Sequence, residues 1–150
     1  MASRSWDYFV ASWHPSKNWA STVLPAAEVL QRDPTSDAAT TAWSEIAMML
    51  GDTHASELAL LVCLYAEETA PGGNAKRLHA HRELCLLDLG LARPARPGPV
   101  LLAEIGAPGL TETDATALDA WRAAQLAPFD GDLARAAQAI LALVIARVQP

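Results

Sequence analysis

Four side chains able to ligate a metal fall within one short stretch of the chain: His79, His81, Glu83 and Cys85. Imidazole, carboxylate and thiolate are the ligands that zinc and similar transition metals take, four for a structural ion and usually three plus water for a catalytic one. On a helix, His79 and His81 point roughly 200° apart and cannot share an ion. The pairs that can share a face are His79/Glu83 and His81/Cys85, each at i, i+4. Either pair supplies only two ligands, so the set would need completion by His54 or Glu57, themselves at i, i+3 on the preceding helix. The competing arrangement is structural. In it Leu78, His81, Cys85 and Leu89 form a core-facing stripe with one satisfied histidine, and His79 is exposed.

A second group is aromatic. Trp6, Trp13 and Trp19 are three of the chain's five tryptophans and crowd together with Tyr8 and Phe9. Trp and Tyr dominate binding hot spots, so this segment is a candidate contact surface for another protein, with Trp6, Phe9 and Trp13 as its anchors. The same residues would equally serve as an amphipathic helix docked into the core. A membrane role is disfavoured, because the polar face of the segment has few cations.

Charge marks a third group. The chain carries a net charge of −6, unevenly spread. Lys76, Arg77, Arg82, Arg93 and Arg96 form a basic band opposed only by Glu83 and Asp88, between two acidic flanks. Arg77, Arg82, Arg93 and Arg96 would provide a polar rim to a partner surface, or would simply be solvated surface charge. Overall acidity argues against a general nucleic-acid binder, whose non-specific affinity comes from neutralising phosphates.

No G-x-S-x-G elbow, phosphate-binding loop, G-x-G-x-x-G or H-E-x-x-H occurs. The His54/Glu57 pair reverses the E-x-x-H order of a carboxylate-bridged diiron bundle. Asp130-Gly131-Asp132 lacks the remaining ligands of a calcium loop, and helix capping accounts for it better. No cofactor is expected from these motifs, and the balance leans away from an enzyme.

The elements that must position these groups read as helices from end to end. Trp6, Phe9, Val10 and Trp13 follow i, i+3, i+4, i+7, and Pro15 stops the run. A second helix is expected from about Thr22, as N-cap, to Arg32, with Pro25 tolerated in the first turn. A third, capped by Ser36 or Asp37, carries Ala39, Ala42, Trp43, Ile46, Met49 and Leu50 on one face, with Gly51 as its left-handed end. Asp52 or Thr53 then caps a helix over about 53–68 that is apolar on all sides, the mark of a central helix. A loop at 69–74 leads to a fifth helix capped by Asn74 and ending at Gly90. Residues 91–98, with their prolines, are expected as an extended connection, and 99–105 as a short helical turn or equally a strand, though no second strand is read that could pair with it. Thr111 is expected to open the next helix, with Asp114 completing a near capping box and Ala115, Leu118 and Trp121 on its face. Asp130 or Asp132 starts the last, striped by Leu133, Ala137, Ile140, Val144 and Val148.

Composition supports this. With 150 residues, 51% hydrophobic and 19% charged, the chain is sized for one domain with a real core. The expected fold is all-α: an irregular bundle of six to seven helices around helix 53–68. Cys63 and Cys85 lie in apolar runs without a C-x-x-C pair, and no secretory h-region or span-length apolar run is visible. A cytoplasmic location follows. The expectation for function is a small protein-interaction module of the adaptor, assembly-factor or toxin-neutralising kind; the rival is a metal- or cofactor-binding helical protein.

Overall fold

A computed structural model describes residues 3–69, 75–95 and 111–149. Among them the protein is an all-α bundle of seven helices: α1 (Trp6–Ser12), α2 (Ala20–Arg32), α3 (Asp37–Asp52), α4 (Ser56–Thr69), α5 (Ala75–Asp88), α6 (Ala115–Leu126) and α7 (Leu133–Val148). A two-stranded antiparallel ribbon, β1 (Ala92–Pro94) and β2 (Thr111–Thr113), is set between α5 and α6 and pairs Arg93 with Glu112. None of the helices is long and apolar enough to cross a membrane, among the described residues.

α3 and α7 bury the apolar stripes of their sequences. α4 buries a continuous run from Ser56 to Cys63, then Ala66, and packs against α3, α5 and α7. α3 also meets α2 and α5, and α7 meets α2. The core they share includes Phe9, Ile46, Leu50, Leu61, Leu78, Leu86, Ile140 and Val144.

Several boundaries differ from the sequence reading, each for a local reason. α2 starts at Ala20 after a 3-10 turn, Lys17–Trp19, whose N-cap is the Ser16 hydroxyl accepting from the Asn18 amide. Thr22 is therefore not a cap, and Pro25 lies inside the helix rather than in its first turn. Gly51 stays helical, and His54, at φ +63°, is the left-handed residue instead. The Ala55 amide donates to the Leu50 carbonyl and the His54 amide to that of Gly51, which closes a Schellman end. Thr53 caps nothing on α4; its hydroxyl donates back to the Met49 carbonyl. Thr111 belongs to β2, and Asp114 is itself the N-cap of α6, accepting from the Ala117 amide at 3.0 Å. Ser36 and Asp132 cap α3 and α7 as expected. Within the expected extended connection of 91–98, residues 92–94 form a paired strand, whereas 96–98, the turn or strand at 99–105 and the Asn74 cap lie outside the described residues.

Candidate functional site

The aromatic segment turns inward. Phe9 is fully buried and Trp13 is 5% exposed. The Trp13 indole N–H donates to the Thr53 hydroxyl at 3.2 Å, and Trp6 meets Phe129 edge-on at 5.3 Å. Phe9 and Trp13 thus belong to the core and present no contact surface, a correction to the expected anchor set. The large apolar side chains that α1 leaves exposed are Tyr8 and Val10, and Val10 thereby departs from the expected buried stripe.

The basic band is compensated from within. Arg77 pairs with Glu45 at 3.3 Å, and Arg93 meets its cross-strand neighbour Glu112 at 3.2 Å. Arg82 lies in a denser network: it donates to Glu67 at 2.7 Å, to Glu83 at 3.1 Å, and shares a hydrogen bond with His79 Nδ1 at 2.7 Å. The Thr111 hydroxyl donates to the other oxygen of Glu83, tying β2 to α5. Burial pushes the Glu67 carboxyl above its ordinary range against the pull of Arg82. Each of these arginines has an acidic partner within the chain, while the Arg93 side chain stays 80% exposed in its surface pair. Arg96 lies outside the described residues.

The metal-ligand set is divided as the helical period requires. His79 and Glu83 share one face of α5, with 3.6 Å between Nε2 and Oε1. His81 and Cys85 share another, and line a cleft with His54 and Glu57. Among the described residues, no group of three His, Cys, Asp or Glu side chains could hold a metal ion. Glu57 is committed elsewhere. Arg4 grips it with its main-chain N–H at 2.7 Å and its guanidinium at 2.8 and 3.1 Å, and donates to the His54 carbonyl at 2.6 Å. Burial would raise the Glu57 carboxyl, but the Arg4 hydrogen bonds outweigh it and hold it below the usual carboxylate range. Cys85 is pushed up to about 12, first by burial and then by Asp88 and Glu57, so it remains a thiol at neutral pH and a poor ligand or nucleophile.

The cleft itself is the feature that sequence reasoning missed. It has a volume of about 1070 Å³ and is walled by the ends of α3 and α5, the start of α4 and the segment at Arg4. Half-buried Met48, Leu84, Leu87 and Leu89 give it apolar walls. Ser56 donates to Asp88 at 2.6 Å at one side, and Asp52 is exposed at the end of α3. Burial, aided by Arg77, holds the His81 imidazole below its ordinary range, and its Nε2 is buried without a hydrogen-bond partner among the described residues. A concave apolar surface with a few convergent polar groups is the usual form of a binding site. Comparison with protein families, with curated proteins and with solved structures finds no match.

Proposed function

We propose that this protein is a small interaction module whose partner protein docks in the cleft between α3, α4 and α5. One observation carries the reading: half-buried Met48, Leu84 and Leu87 border a cleft of about 1070 Å³. Apolar surface grouped in a concavity, rather than scattered singly, marks a place where another molecule covers it. The site moves from the aromatic face of α1, because Phe9 and Trp13 are spent on the core. Work in the cytoplasm fits Cys63 and Cys85, which are both free and buried. The net charge of −6 supports a protein rather than a nucleic-acid partner.

The test is affinity capture from the source cell with three baits, read by quantitative mass spectrometry. Wild type and a Tyr8→Ser/Val10→Ser bait should capture the same protein in equal amount, and Leu84→Lys should lose it. Retention by Leu84→Lys with loss from the α1 double variant would move the site back to α1 and refute the reading.

A further inference from the structure

Two helices end at the cleft, and both end in an acid. Asp52 is the last residue of α3 and Asp88 the last residue of α5, and both line the cavity. A helix C-terminus is the negative end of its dipole, so a carboxylate there is disfavoured and a cation favoured, although most last-turn carbonyls are already bonded, those of Met49, Leu50 and Gly51 in α3 and of Cys85, Leu86 and Leu87 in α5. Neither helix has a basic residue in its last turn to offset this. Arg4 is the only lysine or arginine lining the cleft among the described residues, and Glu57 neutralises it. His81, held neutral by burial, adds no charge at pH 7. Two carboxylates, Asp52 and the Asp88 that accepts from Ser56, therefore line one cavity together with the half-buried Met48, Leu84, Leu87 and Leu89.

We propose that the cleft receives an arginine- or lysine-bearing segment of the partner protein. The aliphatic stem of the cation would lie along Met48, Leu84 and Leu87 while its charged head meets Asp52 and Asp88. Long basic side chains divide in this way between apolar walls and a polar end. The occupant supplies the positive charge that α3 and α5 lack in their last turns. This inference rests on the docking reading and names the chemistry of the partner.

The test uses the full chain labelled with nitrogen-15 and three probes followed by amide chemical shifts. The probes are an acetylated, amidated hexapeptide Leu-Arg-Leu-Leu-Arg-Leu, its counterpart with citrulline for both arginines, and spermine. The arginine peptide should shift the amides of Asp52, Ser56, Leu84 and Asp88. Its binding should weaken about tenfold or more when citrulline replaces arginine, and again in the Asp52→Asn/Asp88→Asn double variant. That variant should also melt at a higher temperature than wild type, since two unfavourable charges have left helix ends. Equal binding of the citrulline peptide at the same amides would overturn the charge inference and leave the docking reading standing. Silence of these amides to both peptides would overturn both. Spermine binding at the cleft as tightly as the arginine peptide would overturn the protein segment in favour of a small organic cation.

Discussion

Glu57 is 2% exposed, and a carboxylate at that depth persists only with its charge matched and its lone pairs filled. Arg4 does both, through three hydrogen bonds to the two carboxylate oxygens. Arg4→Met should therefore cost about 2 kcal/mol, less than a fully buried pair would lose because the Arg4 side chain is partly solvated. Urea denaturation checks this, and an unchanged midpoint would show the pair to be ornamental. Nothing local announced the contact. Arg4 and Glu57 are 53 positions apart, and from sequence Glu57 read as a spare metal ligand. The same residue scale sets a pH dependence. An unfolded histidine titrates at about 6.5, and folding holds His81 below that by burying it, with Arg77 adding to the effect. As pH falls the unfolded chain takes up its proton first. The stability associated with neutral His81 is thus complete above about pH 6.5 and is lost as pH falls from there through the folded value. The urea midpoint of wild type should drop more between pH 7 and pH 5 than that of His81→Gln; parallel curves would contradict the assignment.

At the scale of elements, helix identity was legible and helix ends were less so. The period of apolar residues in α3 and α7 survives intact in the structure, because burial of a stripe is what makes a short helix stable. The ends are decided by a few hydrogen bonds that competing residues can each supply. Gly51 was the natural left-handed residue, yet α3 runs on to Asp52 and His54 takes that conformation, with its carbonyl held by Arg4. Thr111 and Asp114 fitted a capping box until β1 offered β2 a partner strand. The α1 stripe was legible as amphipathic but not as to what covers it. Its burial sets an expected outcome: Phe9→Ala and Trp13→Ala should each cost about 3–5 kcal/mol, as core truncations of aromatics do. Thermal or urea melts measure this, and losses within about 0.5 kcal/mol, typical of surface positions, would place those rings outside the core.

For the whole molecule, charge that looked patterned along the chain is largely cancelled in space. Arg77, Arg82 and Arg93 each find an acid, Glu45, Glu67 and Glu83, and Glu112 respectively. Asp52 and Asp88, which have no ion pair among the described residues, come together where α3 and α5 end, an arrangement set by chain topology and so invisible in any one segment. The cleft combines that residual charge with Met48, Leu84 and Leu87, which in sequence were ordinary positions on two separate helices. Docking at this cleft is the centre of the account, and the Leu84→Lys variant tests it most directly when titrated with the arginine hexapeptide and melted in parallel. The expected result is a melting temperature close to wild type together with loss of the shifts at Asp52, Ser56 and Asp88. Undiminished shifts at those amides in a folded Leu84→Lys protein would contradict it.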